Sequence, residues 1–276
     1  MENLERPGQE SEMKKKPLII RENYRGSGKL NHKNALITGG DSGIGRAVAV
    51  HFAKEGCNIM FTYVSEHEDA EKTKKLVEAE GVKCSFTSGD LRDITFCKDL
   101  IEEFKNKYST LDILVNNAAT QYTVSSLEDI KEEHVRETFD LNIISMILLT
   151  KNALPLMKEG GRIINTTSIT SYRGHKDLVD YSSTKGAITS FTRSMSAQLA
   201  SKNILVNAVA PGPIWTPLIP ATMDDEMVTT FGEDTPLGRC GQPSEVAPAY
   251  VYLASEDSSY MTGQVLHING GSVIGG

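Results

Sequence analysis

A tyrosine and a lysine four residues apart, Tyr181 and Lys185, are the residues of this sequence whose spacing most directly suggests chemistry. On a helix, residues four apart lie on one face, so the phenol and the ammonium group come close together. A free tyrosine titrates near ~10, and a neighbouring positive charge favours its phenolate. The pair therefore predicts a tyrosine that exchanges a proton at neutral pH. Because this spacing also occurs in ordinary amphipathic helices, other residues must support the prediction.

Two further polar residues lie where they could join this pair. Ser168 follows a predicted strand at residues 162–166, and ligand sites of open α/β sheets gather where strands end. Its hydroxyl could hold a substrate carbonyl beside Tyr181. Asn142 lies in a predicted helix of largely apolar residues, where a buried amide needs hydrogen-bond partners. We expect Asn142 to anchor a water molecule in a proton relay behind Lys185.

A glycine-rich turn upstream connects the first predicted strand, residues 35–37, to a helix. Gly39, Gly43 and Gly45 allow a tight reversal and a close approach of the backbone to a ligand. The free N–H groups at the start of the helix then point at a phosphate. A glycine pattern alone is weak, since many strand-to-helix turns use glycine for geometry. Its place after the first strand predicts a dinucleotide site.

The end of the second predicted strand, residues 58–63, bears on which dinucleotide fits. In many sites an acidic residue here binds the adenosine ribose hydroxyls, whereas a basic residue accommodates the 2′-phosphate of NADP. This chain has Tyr63, Val64 and Ser65, which are neither. Asp41 in the glycine turn would repel an added phosphate. The sequence therefore favours NAD and leaves NADP open.

Short apolar runs alternate with longer amphipathic runs from residue 34 onward, a pattern typical of a parallel sheet with helices on both faces. We expect one doubly wound α/β domain over residues 34–276. Helices are predicted over residues 66–80 and near residues 139–157. Residues 211–243 resist assignment, and so long a loop is usually a lid or a binding segment. The seven predicted strands are residues 35–37, 58–63, 83–87, 112–115, 162–166, 205–209 and 264–268.

The composition excludes several classes of function. The 276 residues include 29 basic and 36 acidic side chains, and a formal charge of −7 disfavours nucleic acid as a partner. Cys57, Cys84, Cys97 and Cys240 form no Cys-x-x-Cys pair and have no histidine at ligand spacing, so we expect no metal site and no disulfide. The apolar stretch at residues 18–20 is too short for a signal peptide or a membrane span. We expect a cytoplasmic protein without a membrane partner.

The first 33 residues differ in charge from the rest of the chain. They carry eight Lys or Arg and five Glu, a net charge of +3. Because the whole chain has a formal charge of −7, the remaining residues have a net charge of −10. Prolines and glycines interrupt this polar run, so it is predicted to be an arm outside the main domain. It could dock on a neighbouring subunit or form a loosely ordered tail.

Together the motifs resemble the short-chain dehydrogenase/reductase family, over residues 33–271. Ala119 and Asn269 depart from the family pattern, which usually has glycine and often has aspartate there. The resemblance implies a Rossmann-type domain whose catalytic residues are Asn142, Ser168, Tyr181 and Lys185. It implies a cofactor site formed by Gly39, Asp41, Ser42, Gly43, Ile44, Gly45, Tyr63, Asp90, Leu91, Asn116, Ala118, Tyr181, Lys185, Pro211, Gly212, Ile214 and Thr216.

In the mechanism that the resemblance implies, Tyr181 exchanges a proton with the substrate oxygen while hydride passes between the substrate carbon and the nicotinamide. Lys185 also binds the nicotinamide ribose. The chain looks most similar to a bacterial subgroup of glucose/ribitol dehydrogenase-like, or general-stress, oxidoreductases. The family also implies a homotetramer, with which the apolar helix at residues 142–149 and the tail at residues 273–276 are compatible.

The residues expected to face substrate mix polar and aromatic types without clustered charge, which favours a neutral carbonyl or alcohol; they are Ser168, Gln121, Thr170, His175 and Trp215. His175 could instead be solvated, and Trp215 could instead plug a hydrophobic gap. The first hypothesis is an NAD(P)-dependent carbonyl reductase or alcohol dehydrogenase, with a sugar or polyol dehydrogenase as a variant. The second is a dinucleotide-binding sensor or scaffold whose turnover is incidental.

Overall fold

The computed structural model describes residues 4–272, so the tail at residues 273–276 lies outside the described part. Seven strands form one parallel sheet, each within two residues of its predicted bounds. The prediction of a doubly wound α/β domain is confirmed. The strands are Asn34–Thr38 (β1), Asn58–Tyr63 (β2), Cys84–Ser88 (β3), Ile113–Asn116 (β4), Arg162–Thr166 (β5), Leu205–Pro211 (β6) and Val265–Ile268 (β7).

The strand order is β3-β2-β1-β4-β5-β6-β7. From β1 the sheet is built outward in one direction through β2 and β3, and then in the other direction from β4 to β7, so the order reverses between β1 and β4. Ligands bind in open α/β sheets in the crevice outside the carboxyl ends of the strands at such a reversal. Ile37 of β1 lies opposite Val115 of β4, so the segments that follow these two strands meet at the crevice. They are joined there, because the hydroxyl of Thr38 accepts hydrogen bonds from the backbone N–H groups of Asn117 (2.9 Å) and Ala118 (3.0 Å).

Helices cover both faces of the sheet, and each face has its own hydrophobic core. Ala35 and Ile37 of β1 belong to the core on one face, while Leu36 between them belongs to the other, as the alternation of a strand requires. The described helices are Gly43–Lys54 (α1), His67–Glu78 (α2), Ile94–Tyr108 (α3), Glu132–Phe139 (α4), Ser145–Ala153 (α5), Thr170–Arg173 (α6), Val179–Leu199 (α7), Leu218–Thr222 (α8), Asp225–Thr229 (α9) and Pro243–Ala254 (α10).

Buried residues of α1, α2 and α10 fill the first core, and buried residues of α3, α5 and α7 fill the second. Within residues 4–272 no helix is both long enough and apolar enough to cross a membrane.

The helix predicted near residues 139–157 is interrupted in the structure. It begins earlier, at Glu132, and a wider π-helical turn at Asp140–Ile144 separates α4 from α5. A 3₁₀ turn at Leu154–Leu156, which contains Pro155, ends it. Single π turns inside helices are often found at functional sites. This one contains Asn142, whose side chain is fully buried.

The N-terminal segment and the long loop contact each other. The two short helices α8 and α9 lie within residues 211–243, and the rest of that loop is irregular apart from its ends. The backbone N–H of Leu4 donates to Pro220 of α8 (3.2 Å), and the indole of Trp215 donates to the carbonyl of Lys15 (2.8 Å). Met13 is buried in the same cluster as Trp215. The arm therefore lies along the loop of its own chain.

Candidate active site

The crevice at the strand-order reversal opens into a cleft of about 850 Å³, a volume within the usual range for a small-molecule or cofactor site. Most of the predicted site residues line it, although Gly45, Asn116, Asn142 and Trp215 do not. Those that line it are Gly39, Asp41, Ser42, Gly43, Ile44, Tyr63, Asp90, Leu91, Ala118, Gln121, Ser168, Thr170, His175, Tyr181, Lys185, Pro211, Gly212, Ile214 and Thr216.

The glycine turn has the geometry that a phosphate group needs. Gly39 and Gly43 adopt φ angles of 64° and 50°, in the left-handed region that favours glycine. A Cβ at Gly43 would lie 3.0 Å from the side chain of Thr216, which closes the other side of the cleft. Ser42 begins α1 without a side-chain hydrogen bond to it, so the first amides of the helix stay available to an anion. These residues fit the pyrophosphate of a dinucleotide.

Gly45 does not face the cleft, although the sequence predicts that it allows a close approach of the backbone to a ligand. It lies inside α1 rather than on the cleft, and a Cβ there would come within 1.8 Å of the carbonyl oxygen of Gly39. Glycine at this position lets the helix pack against the turn that precedes it.

Ser168, Tyr181 and Lys185 line the cleft together with Pro211 and Thr216. The Ser168 hydroxyl lies close enough to the phenol of Tyr181 to influence its pKa. The ammonium nitrogen of Lys185 lies 5.3 Å from the centre of the Tyr181 ring and donates to the carbonyl oxygen of Thr166 (2.9 Å). The α7 helix supplies both Tyr181 and Lys185 from one face, as the four-residue spacing predicts.

Burial controls the protonation of this pair. Burial raises the pKa of Tyr181 to about 12, against the smaller opposing effect of the Ser168 hydroxyl. Burial also lowers the pKa of Lys185 to about 7. Burial is thus the main influence on the phenol pKa in this structure, and proton exchange by Tyr181 at neutral pH stays a prediction. At neutral pH the phenol is protonated and can donate.

Asn142 holds the segment after β4 rather than facing the cleft. Its side-chain amide donates to the carbonyl of Thr120 (2.9 Å) and to the hydroxyl of Thr184 (3.1 Å), and its oxygen accepts from the N–H of Thr120 (2.8 Å). Both side-chain donors of Asn142 are thus used by protein groups. Asn142 ties α7 to the segment that borders the cleft, and the water relay stays a prediction.

Two acidic side chains, one in the glycine turn and one just after β2, face the cleft. Asp41 and Glu66 both line it and are more than 90% buried. Burial, together with the charge of Glu66, raises the pKa of the Asp41 carboxyl to about 7. The Tyr63 hydroxyl is hydrogen-bonded to His67 at 2.7 Å. An added phosphate here would approach acidic groups.

Another part of the cleft, after β3, carries a chain of ion pairs. Arg92 contacts Asp90 (2.7 Å) and Glu137 (3.0 Å), and the hydroxyl of Tyr122 donates to Glu137. The hydrogen bonds from Arg92 lower the pKa of the Asp90 carboxyl. These residues border the cleft beside Leu91, which with Asp90 is predicted to bind the cofactor.

Two of the predicted site residues lie elsewhere. Asn116 is buried in the sheet, where its amide donates to Thr150 (3.1 Å) and Asn165 (2.9 Å), and the cleft is lined by Asn117 instead. Trp215 is buried in the hydrophobic cluster that also contains Met13. It therefore fills a hydrophobic gap and does not form a wall of the cleft. The positions of Asn116 and Trp215 depend on the direction in which each side chain points from the backbone, and amino-acid composition does not determine that direction.

The three remaining substrate candidates do border the cleft. Gln121 is buried and donates to the hydroxyl of Thr222 on α8 (2.8 Å), which joins the segment after β4 to the long loop. The hydroxyl of Thr170 donates to Ser168 (3.1 Å). His175 accepts a hydrogen bond from the N–H of Asp177 (3.2 Å), and burial lowers its imidazole pKa. A neutral histidine at this position adds no charge to the cleft at neutral pH.

Sequence reasoning missed several residues that line the cleft, among them Arg6, Pro7 and Gly8 of the arm and Glu66 after β2. Glu66 could have been found by extending the search one residue past Ser65. Nothing in the sequence near Arg6 marks it, since it lies in a polar segment with no motif.

Comparison with known proteins agrees with this geometry. Residues 39–272 match the family described as Enoyl-(Acyl carrier protein) reductase. General stress protein 39 of Bacillus subtilis is 55% identical over 97% of this chain and 94% of its own length. Glucose and ribitol dehydrogenase of Daucus carota is 48% identical over 98% and 95% of the two chains. NADPH-dependent aldehyde reductase 1 of Arabidopsis thaliana is 49% identical over 97% and 96%.

A solved structure is similar throughout the sheet. A short chain dehydrogenase from Burkholderia cenocepacia, crystallised in complex with NADP, superposes with a TM-score of 0.83 at 28% identity. It covers 88% of this chain and 98% of its own. The glycine turn, the Ser168–Tyr181–Lys185 cluster, the matched family and these relatives agree. The chain belongs to the short-chain dehydrogenase/reductase family of oxidoreductases.

Proposed function

We propose that this oxidoreductase reduces neutral aldehydes or ketones with a nicotinamide cofactor, and that Tyr181 is the proton donor. The observation that carries the proposal is a cluster on the cleft that the glycine turn begins, in which Ser168 lies beside a protonated Tyr181 and Lys185 lies behind them. A variant of this proposal is the reverse reaction, the oxidation of a sugar or polyol. The 48% identity to a protein named Glucose and ribitol dehydrogenase supports this variant.

Each group has a task that follows from its position. The nicotinamide supplies the hydride when it is bound. Ser168 donates a hydrogen bond to the substrate carbonyl and so holds its oxygen beside Tyr181. Tyr181 gives its proton to that oxygen as negative charge develops there. Lys185, whose pKa is about 7, can hold a proton at neutral pH and stabilises the phenolate that Tyr181 becomes.

A panel of substrates tests the proposal. The purified chain is offered neutral aldehydes, ketones, glucose and ribitol, each with both nicotinamide cofactors, and the change in nicotinamide absorbance is followed. We expect turnover of at least one carbonyl compound. A chain that binds cofactor and turns over no member of the panel would favour the alternative function, a dinucleotide-binding sensor or scaffold.

For the cofactor, we propose NAD as the better partner above neutral pH. Asp41 and Glu66 support this proposal, because both acidic groups border the place where a 2′-phosphate would lie. The name NADPH-dependent aldehyde reductase 1, for a protein 49% identical, and the NADP-bound structure at 28% identity point the other way. A direct comparison of the two affinities is therefore needed.

The pKa of Asp41, raised to about 7 by burial, predicts how this preference changes with pH. Above that pKa the carboxylate is charged and repels the 2′-phosphate; below it the carboxyl is neutral. We expect the Kd of NADPH divided by that of NADH to rise about tenfold between pH 6 and pH 8, as measured by cofactor fluorescence. The 2′-phosphate itself titrates near pH ~6, so Asp41→Asn is the control. Equal pH dependence in wild type and Asp41→Asn would contradict the prediction.

We also propose a cytoplasmic homotetramer. Ile144, Ile147 and Val179 are large apolar side chains that stay exposed around α5 and the start of α7, which supports burial by other copies of the chain. Light scattering on the purified protein measures the oligomer directly.

A further inference from the structure

The arm crosses the mouth of the cofactor cleft. From the contact of Leu4 with Pro220 it continues past Gly8, where an added Cβ would lie 2.7 Å from the carbonyl oxygen of Pro217. Arg6, between these two points, lines the cleft. The arm therefore lies over the start of α8, next to Thr216, and borders the space that the glycine turn faces.

Buried charges hold the arm in this place. Glu10 and Arg46 form an ion pair in which both side chains are at most 1% exposed, and the N–H of Glu10 donates to the carboxylate of Asp69 (2.7 Å). Arg46 also donates from Nε to the backbone carbonyl of Asp41 (2.8 Å), within the glycine turn. The same arginine thus fixes both the arm and the turn, so the arm has a defined position relative to the phosphate-binding amides.

Arg6 is placed differently from the other basic groups of the cleft. Its guanidinium lies 3.7 Å from the centre of the Tyr122 ring, an arrangement that orients the group without neutralising it. Within residues 4–272, no carboxylate lies in ion-pair distance of Arg6. Arg92 and Arg173, by contrast, are paired with acidic side chains.

We propose that Arg6 is a cofactor-binding residue, whose guanidinium binds phosphate oxygens of the dinucleotide from the side of the cleft opposite α1. This inference rests on the proposed function, which requires a bound nicotinamide dinucleotide. The phosphate groups are the part of that ligand whose charge matches an unpaired guanidinium, and arginine suits them because its planar donors can bind two oxygens at once. The candidate groups are the pyrophosphate and, in NADP, the 2′-phosphate.

The test is a titration of the full chain with NADH and with NADPH, followed by cofactor fluorescence and without substrate. We expect Arg6→Gln to weaken binding about five- to tenfold and Arg6→Lys to lose less, and we expect added salt to shrink the difference from wild type. Arg25→Gln is the matched control, because Arg25 lies in the same arm and donates only to the backbone carbonyls of Glu22 and Tyr24. Equal thermal unfolding of the variants shows that the fold is unchanged.

The two cofactors distinguish the phosphate groups. An equal loss of affinity for NADH and NADPH assigns Arg6 to the pyrophosphate, and a loss confined to NADPH assigns it to the 2′-phosphate. Unchanged affinity in Arg6→Gln, or the same loss in Arg25→Gln, would overturn the inference while wild-type binding keeps the proposed function intact. Failure of the wild-type chain to bind either cofactor would overturn both.

Discussion

Replacing Tyr181 with phenylalanine is expected to lower kcat between about 10²- and 10⁴-fold, because the substrate oxygen then loses its proton donor. Cofactor binding is expected to stay near the wild-type value, since the ring remains and only the hydroxyl that Ser168 contacts is removed. Steady-state kinetics on the best substrate of the panel, together with a cofactor titration, separates these two effects.

Tyr172→Phe is the matched control for this experiment. Tyr172 lies on α6, nine positions before Tyr181, where its ring packs edge-on against His267 with centroids 4.7 Å apart, and it does not line the cleft. Its loss of a hydroxyl is expected to leave kcat within about twofold of wild type. Wild-type turnover in Tyr181→Phe would remove Tyr181 from the proposed role even if the fold and cofactor binding are intact.

Replacing Arg46 with methionine is expected to lower the free energy of unfolding by about 3–5 kcal/mol. The change removes the buried cation that Glu10 and Asp69 share, and these carboxylates are only 1% and 2% exposed. Glu10 then keeps only its contact with the half-exposed Lys72 (3.2 Å). Their mutual repulsion would also release the arm. Urea unfolding measures the loss of stability, and faster proteolysis within residues 4–15 reports the release of the arm.

Arg21→Met provides the comparison for Arg46→Met. Arg21 pairs with Glu245 at 3.1 Å, but its side chain is 56% exposed. Exposed pairs contribute at most about 1 kcal/mol, so this variant should unfold close to the wild-type midpoint. Similar losses in both variants would mean that burial of the Arg46 network contributes nothing beyond a surface ion pair.

Local patterns explain why so much of the sheet and the catalytic cluster could be predicted. Strands buried on both faces are continuous apolar runs, and turn-forming residues at each end of a run mark where the strand begins and ends. The four-residue spacing of Tyr181 and Lys185 needs only a helix to bring the groups together. Ser168 follows from the rule that ligands gather at the carboxyl ends of parallel strands.

The residues that were misplaced depend on long-range packing. Whether Asn116 or Asn117 reaches the cleft depends on where β4 ends relative to β1, and Asn116 instead bonds to Thr150 and Asn165. Trp215 was ambiguous because its partner Lys15 lies 200 positions earlier in the chain. The protonation of Tyr181 depends on desolvation, which is a property of the whole fold and does not follow from the spacing of Tyr181 and Lys185.

The contacts of the arm have a consequence for how the protein is made. Leu4 and Lys15 leave the ribosome long before Pro220 and Trp215, yet they bond to them in the finished structure. During synthesis the arm therefore has none of its partners from the long loop until the chain is about four-fifths complete. Closing contacts over such a distance is slow, and domains that form during synthesis add such segments late. The arm can therefore take its place along the long loop only in this last step, after most of the chain has been made.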